Sequence, residues 1–426
     1  MIRIRIFNYH KAKLCLTIII TTSIMYVFLQ TIAIHNVVYR EQNVIAIEAE
    51  HEDQNVKEWI DSRTNLKNLS KLGRILFMGD NPPTIQGNQQ HQILLWKYGP
   101  TIEKRLMKHY TKDRIDPFRH CSVSNCDITY DDSALNTADL VIFHLHRTKS
   151  LKELPGKRGK EGQIWAFLTD ESPYHTFMGR NTLTDQGKKI NITNFNGIFN
   201  WSMSYRHDSD IPVPYGRTVL KNNLTNAWIN MKRRDVLAAI MISNCRAPNN
   251  RLEYVKELQN FMKVDVYGNC GPLKCPGHYS KDCPLLDDYL FYLSFENSNC
   301  EEYITEKLWW NAFNKNAIPV IMGGSTESYK MLLPPKSFVH VDDFANPASL
   351  AQFLLRLNKT GEYMNYYGWK YNFEVLNEHG YFQSDVFHYC RACEALNYND
   401  RSPKVYTNLE ETWDYNKVCR PAWNSD

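Results

Sequence analysis

DYLFYLSFENSNCEEYITEKLWWNAFNKNAIPVIMGG, residues Asp288 to Gly324, holds two strand patterns with a helix pattern between them. Phe291, Leu293 and Phe295 alternate with Tyr292 and Ser294, the period of a strand running toward Glu296 and Asn297. The polar run Glu296 to Glu302 ends that period, and Thr305 then stands where a helix N-cap belongs. Leu308, Trp309, Ala312 and Phe313 recur behind it at helical spacing. Ala317 to Met322 is a short apolar run closed by Gly323-Gly324, which suits a strand covered on both faces. The stretch predicts a βαβ unit.

That unit sets Tyr303, Glu306 and Lys307 around a helix start, beside the carboxyl end of a strand. Open α/β sheets bind nucleotides at such a place, because unpaired N–H groups and the helix dipole favour phosphate. A lysine in a first turn opposes the dipole, so a nearby anion explains its charge better than the helix does. Taken alone, Glu306 and Lys307 also fit an ordinary surface ion pair.

The whole string says more. Phe295-Glu-Asn297, the helix start Tyr303-Ile-Thr-Glu-Lys307 and Ile318-Pro-Val-Ile-Met-Gly-Gly324 closely resemble the signature of the α1,3/4-fucosyltransferases. These are inverting glycosyltransferases that use GDP-fucose. The resemblance implies an α/β fold of the GT-B kind, two Rossmann-like domains facing a cleft, with the acceptor mostly on the first and GDP-fucose on the second. It implies that Asn297, Tyr303 and Glu306 hold the nucleotide and fucose, Glu306 through sugar hydroxyls, and that Lys307 offsets the diphosphate charge.

Upstream, Asp235 to Ile242 reads as a buried strand ending in Ser243-Asn244-Cys245. Asn250-Arg251 then precedes a helix, Leu252 to Met262, with Leu252, Val255, Leu258, Phe261 and Met262 as its core stripe. Arg251 therefore also sits at a helix start after a strand. Its planar fork can pair bidentately with phosphate and its charge suits a departing diphosphate, although a surface arginine would look the same. The resemblance implies that Ser243 and Arg251 contact GDP-fucose. Val264 to Gly268 is a further strand. The loop after it, with its YGxCG…KC pattern, resembles invertebrate members of the family more than vertebrate Lewis-type ones. Ser337 to Asp343 and Pro347 to Leu357 read as another strand and an amphipathic helix.

The polar, sequon-bearing stretch Lys221 to Arg234 marks a boundary, giving domains 72–230 and 231–395. In the first, Arg74 to Met78 reads as a buried strand ending in Gly79-Asp80-Asn81-Pro82. Ala138 to His144 and Gln163 to Leu168 read as two more, in an alternation that suggests a parallel sheet. The third strand runs into Thr169-Asp170-Glu171-Ser172-Pro173-Tyr174-His175. Inverting transfer needs a base for the acceptor hydroxyl's proton, and a carboxylate serves if burial raises its pKa. Asp170, Glu171 and His175 all qualify chemically; the family's Glu-Ser-Pro at this point implies Glu171. His175, Trp201 and Tyr205 are candidate acceptor contacts, with core packing an equal account of the two aromatic rings. Asp208-Ser209-Asp210 tempts as the Asp-x-Asp metal site of another glycosyltransferase class. The resemblance argues against it, because that family neutralises diphosphate with Arg and Lys. It implies no obligate metal or cofactor and allows Mn²⁺ to stimulate.

At the amino end, Arg3, Arg5, Lys11 and Lys13 precede an uncharged apolar run, Leu14 to Ile34, about long enough to span a bilayer. An acidic cluster follows, so the positive-inside rule predicts a signal anchor at 14–34 with residues 1–13 cytoplasmic. No small-residue cleavage site favours a cleaved leader. Residues 35–71 read as a polar stem. The sequons at Asn68, Asn191, Asn200, Asn223 and Asn358 are compatible with a secretory lumen, and the expected address is the Golgi membrane, type II, with the catalytic part lumenal. A net charge of +4 with no basic stripe argues against a nucleic-acid partner.

Eleven cysteines include Cys15 in the apolar run and an even ten elsewhere. Cys121, Cys126, Cys390 and Cys393 could make a zinc site, but an oxidising lumen favours disulfides. The resemblance implies that Cys390 and Cys393 pair with Cys121 and Cys126. Residues 396–426 extend beyond the usual family ending, though Trp413, Tyr415 and Trp423 suggest that they pack. The expected activity is α1,3-fucosyl transfer to a GlcNAc hydroxyl of glycoprotein glycans, the N-glycan core slightly ahead of terminal LacNAc. Two rivals stand beside it: a catalytically silent glycan-binding relative, which should have lost Glu171, Arg251 and Lys307, and a metal-dependent transferase using Asp208 and Asp210.

Overall fold

A computed structural model describes residues 25–26, 44–47, 54–63, 66–85, 89–106, 116–118, 121–148, 150–178, 192–221, 227–275 and 281–424. The chain divides into two compact units, one of residues 1–47 and 226–231, the other of 48–225 and 232–426.

Strand β1 (Val44–Ile47) belongs to the smaller unit. Helices α1 (Gln54–Ser62) and α2 (Lys71–Met78) open the larger one. Next come β2 (His91–Leu95), α3 (Gly99–Leu106), β3 (Cys126–Thr129), β4 (Leu140–His144), β5 (Ile164–Thr169), β6 (Trp201–Ser204) and β7 (Ile211–Pro212). These six strands form one parallel sheet in the order β3-β2-β4-β5-β6-β7. Every residue of β4 and β5 is buried, as expected where both faces of a parallel sheet are covered. Strand β8 (Gly216–Leu220) follows, and β9 (Ala227–Asn230) pairs antiparallel with β1 within the smaller unit.

A second parallel sheet holds β10 (Ala238–Met241), β11 (Val264–Tyr267), β12 (Phe291–Phe295), β13 (Ile318–Met322) and β14 (Val339–His340) in the order β11-β10-β12-β13-β14. Its connections carry α4 (Arg251–Leu258), α5 (Glu306–Leu308) and α6 (Thr326–Leu332). Helix α7 (Pro347–Thr360) comes after it. The chain then returns. Strand β15 (Phe373–Asn377) pairs with β8, and α8 (His388–Tyr398) buries Tyr389, Ala392, Cys393, Ala395 and Leu396 in the core of the first sheet. Short helices α9 (Glu410–Trp413) and α10 (Tyr415–Val418) end the described chain.

The βαβ unit read from Asp288 to Gly324 forms, with β12 and β13 paired residue for residue from Phe291–Ile318 to Phe295–Met322. Its helix differs from expectation. Only Glu306–Leu308 is α-helical, and Trp309–Asn314 widens into a π-helical turn. The apolar stripe still lies inward, Leu308, Trp309, Ala312 and Phe313 all being buried.

Arg74 to Met78 is not a strand but part of α2. Ser70 caps the helix by accepting the Gly73 N–H at 3.0 Å, and Gly79, at φ +74°, ends it in the left-handed conformation. Leu72, Leu76 and Phe77 then share its buried face, a helical spacing that a five-residue apolar run conceals. The first strand of the sheet is instead His91–Leu95, which the sequence reading passed over.

Five disulfides staple the larger unit. Cys121–Cys390 and Cys126–Cys393 join α8 to the first sheet as the resemblance implied, and Cys245–Cys270, Cys275–Cys283 and Cys300–Cys419 complete the set. The first two enclose nearly the same loop, so the second adds little entropy beyond the first. The carboxy-terminal extension does pack. Trp413 lies in the core with Phe167, the Arg420 N–H donates to Asn299 O at 2.7 Å, and Trp423 meets Tyr254 edge-on at 4.9 Å.

Among the described residues no helix is long and apolar enough to cross a membrane. The predicted anchor, Leu14 to Ile34, lies outside them except for Met25 and Tyr26, as do the sequons Asn191 and Asn223. Asn200 spends its amide on structure, donating to Lys404 O at 2.7 Å and accepting from Trp165 N–H at 2.9 Å. Asn68 is exposed.

Candidate active site

In the second sheet the first strand, β10, lies between β11 and β12, so the connections leaving β10 and β12 part to opposite sides. A crevice opens at the carboxyl ends of strands where that reversal occurs. A pocket of about 290 Å³ lies there, with Met241 at the end of β10, Ser243 and Asn244 following it, Gly268, Asn269, Lys274 and Cys275 following β11, and Asn297 and Tyr303 following β12. Arg251, Glu306, Lys307 and Asn311 complete that side. The first sheet contributes Glu171, just past the end of β5, together with Tyr215. Tyr381 and Phe382 reach in from the returning segment.

Seven residues singled out in the sequence thus meet in one pocket: Glu171, Ser243, Arg251, Asn297, Tyr303, Glu306 and Lys307. The cations are fixed rather than free. Lys307 Nζ donates to Thr305 Oγ1 at 2.7 Å and sits 3.0 Å from Glu296 and 3.2 Å from Glu306. Burial alone would lower its pKa, but the Glu296 and Glu306 carboxylates hold it above the ordinary lysine range. Thr305 stands at the N-cap position, yet its hydroxyl bonds the Glu296 carboxylate instead of capping the helix. Arg251 is buried, donating to Phe295 O at 2.8 Å and Asn244 O at 3.3 Å. Burial pulls its pKa down, although a guanidinium stays charged in a protein.

Glu171 is half-buried and accepts a hydrogen bond from the Tyr303 hydroxyl at 3.2 Å, across the cleft between the two sheets. Burial raises the Tyr303 pKa, which keeps that phenol a donor. Behind Glu171, Tyr215 donates to Asp170 O at 2.8 Å and stacks on His379 at 3.9 Å, while His388 Nε2 lies 3.1 Å from the Asp170 carboxylate. Ser298 and Ser172 hydroxyls meet at 2.6 Å and tie the β12 loop to the Glu171 loop. Asp170 is therefore spent on two histidines behind the pocket, and Glu171 is the carboxylate of that loop which faces it.

The suggested acceptor contacts fare differently. Trp201 and Tyr205 are 2% and 4% exposed; Trp201 fills the core of the first sheet, and Tyr205 packs on Tyr303 and Trp413. Neither ring is offered to a sugar, and both are core residues. His175 does not line the pocket, though it is near enough for Glu171 to act on its charge; burial lowers its pKa and Glu171 opposes that. Asp208 is held at two points by Arg206, at 2.8 and 2.7 Å, and Asp210 accepts from Ser202 N–H at 2.8 Å and Tyr406 at 2.7 Å. Neither carboxylate lines the pocket.

The sequence marks the loop of Gly268, Asn269 and Lys274 only as resembling invertebrate members of the family and does not place it at the site, although a polar loop at a strand's carboxyl end was signal enough. Tyr381 and Phe382 gave no local signal. They enter through a turn in which Phe382 and Gln383 take φ of +54° and +74°, a conformation costly for non-glycine residues.

Residues 231–413 match the family described as glycosyltransferase family 10 (fucosyltransferase) C-term, and residues 88–216 match fucosyltransferase, N-terminal. Glycoprotein 3-alpha-L-fucosyltransferase A of Drosophila melanogaster is 34% identical over 312 residues, covering 70% of this chain but only 56% of the fly protein. Alpha-(1,3)-fucosyltransferase 7 of Rattus norvegicus is 35% identical over 323 residues, covering 75% of this chain and 78% of its own. A crystal structure of an alpha1,3-fucosyltransferase with GDP-fucose covers 75% of this chain and 94% of its own, at 18% identity and a TM-score of 0.41.

Proposed function

Because the chain belongs to glycosyltransferase family 10, the fucosyltransferases, we propose that it moves L-fucose from GDP-fucose to a GlcNAc hydroxyl with inversion. The observation that carries this reading is the meeting of one carboxylate, Glu171, with two locked cations, Arg251 and Lys307, across a single pocket. The acceptor oxygen attacks the anomeric carbon as the bond to the GDP β-phosphate oxygen breaks. Glu171 takes the hydroxyl proton, and Arg251 and Lys307 offset the charge arriving on the diphosphate. Cations already in place need no reorganisation at the moment of reaction, which is where such stabilisation counts most. Ser243, Asn297, Tyr303 and Glu306 hold the nucleotide and the sugar, Glu306 through fucose hydroxyls. Both carboxylates of the Asp208–Asp210 pair are engaged elsewhere, and the mechanism as written needs no metal.

The acceptor proposed is a glycoprotein glycan, with the innermost GlcNAc of N-glycans first. The name of the fly relative supports a glycoprotein acceptor, and the invertebrate-like cysteine loop favours the core. Anchoring in the Golgi membrane through residues 14–34, with the catalytic unit in the lumen, belongs to the same reading. The test offers GDP-fucose with N-glycan core and LacNAc acceptors to the full-length protein in detergent, with and without EDTA. Transfer that survives EDTA supports the mechanism, and the better acceptor decides between core and terminal fucosylation. A folded protein that binds GDP and transfers to neither acceptor would point to a silent relative.

A further inference from the structure

Lys274 is the pocket cation that the mechanism leaves unused. The strand order β11-β10-β12 places the end of β11 two strand spacings, about 10 Å, from the end of β12. Arg251 follows β10 and Lys307 follows β12, so the diphosphate charge is met at that end. Lys274 lines the same pocket from the end of β11, on the far side of β10 from Lys307. With the diphosphate at the β10 and β12 ends, the nucleoside is the part left to extend toward β11.

The lysine is exposed at the edge of the pocket, but its amine is anchored on its own loop. Its Nζ donates to Gly268 O at 2.7 Å and Gly271 O at 3.1 Å, leaving one N–H of three. Both carbonyls belong to glycines that no other residue can replace. A Cβ on Gly268, which has φ +93°, would stand 2.5 Å from Ile242 O, and one on Gly271 would stand 2.0 Å from Val266 O. Cys245–Cys270 and Cys275–Cys283 fix the same loop on either side of the lysine. An ammonium anchored on two carbonyls keeps one N–H, enough for a single hydrogen bond from a set position.

We propose that Lys274 selects guanine in the donor pocket by donating its remaining N–H to O6 of the base. Guanine presents acceptors at O6 and N7, whereas adenine puts an amino donor where O6 would be, so a fixed ammonium rejects it. The inference rests on the GDP-fucose reading and adds the residue that reads the base.

Calorimetric titration of the full-length protein tests it with two nucleotides: GDP, and 2-aminopurine riboside 5′-diphosphate, which keeps N7 and the 2-amino group but lacks O6. Wild type should bind GDP about ten- to a hundred-fold more tightly than the analogue. Lys274→Met should bind GDP no better than the analogue, and the analogue as well as wild type does. Equal weakening of both nucleotides would assign Lys274 to the phosphates, and no weakening would leave it without a contact; either result overturns the proposal. Lys307→Met is the control and should weaken both nucleotides alike. Wild type that binds neither nucleotide would sink the donor-site reading itself, an outcome distinct from failure of the base contact.

Discussion

The two parallel sheets share a construction rule and contribute to the pocket very unequally. The second supplies its polar loops after three adjacent strands and both locked cations, whereas the first supplies one carboxylate at the end of β5, with Tyr215 beside it. The charges differ in how they are held. Lys307 is wedged between two carboxylates and Arg251 is pinned on backbone carbonyls, while Glu171 is half-buried and accepts from the Tyr303 phenol. A leaving group needs its countercharge in position before the bond breaks; a base needs only to reach its proton. Binding and chemistry should therefore separate between the halves.

Glu171→Gln breaks that comparison most sharply. Turnover should fall about 100- to 10,000-fold, the range for losing a general base, while GDP affinity stays unchanged. Initial rates beside GDP titration of the same preparation check it. A parallel loss of GDP affinity would make Glu171 a donor ligand and erase the division.

On the other side, Lys307→Met should cost both steps, lowering kcat/KM about 100- to 1,000-fold and weakening GDP as well. It also leaves Glu296 buried without its cation, so melting temperature should drop even without ligand. Thermal melts with and without GDP would show both effects. Loss of turnover with GDP binding and stability intact would mean that Lys307 acts only in the transition state.

Cys300–Cys419 ties the β12 loop to a tail whose Trp413 packs on Phe167 of the first sheet, so this bridge bears on both halves. Its sequence separation is 119 residues, and Cys419→Ser should lower unfolding free energy by about 2–4 kcal/mol. Denaturant titration measures that. An unchanged midpoint would mean that the noncovalent contacts of the tail already hold it.

How much of this was legible in the sequence follows the same division. The second half was readable because its site is nearly contiguous. Strand, polar loop, helix start and strand lie within Asp288–Gly324, and periodicity plus the carboxyl-end rule suffice to assemble them. In the first half, Arg74–Met78 is apolar at four of its five positions, a run too short to separate strand from helix, and the cap at Ser70 and the left-handed Gly79 decided for helix. For Trp201 and Tyr205 the sequence leaves sugar contact and core packing equally open, because aromatic character says nothing about which face is covered; burial decides for the core. The return of β15 and α8 to the first half could not be read from spacing at all. It depends on long-range pairing, with Phe373 set opposite Leu220, and only the cysteine resemblance hinted at it.

The smallest expected effect concerns a pair that joins the halves away from the pocket. His207, between β6 and β7, places Nδ1 2.7 Å from Glu302, whose carboxylate also accepts the His207 backbone N–H at 2.9 Å. Burial alone would lower the His207 pKa, but the hydrogen bond and charge of Glu302 outweigh it and hold the value above the ordinary 6.5. The folded state therefore binds the proton more tightly than the unfolded chain. The pair's contribution to stability is complete below the unfolded value and disappears as pH rises through the raised folded value. His207→Asn keeps a short polar side chain and removes the titration. The gap in melting temperature between wild type and this variant should be widest near pH 6 and close toward alkaline pH. A gap that does not change with pH would mean that neutral packing against Phe77, whose ring meets the imidazole edge-on at 6.4 Å, is what His207 supplies.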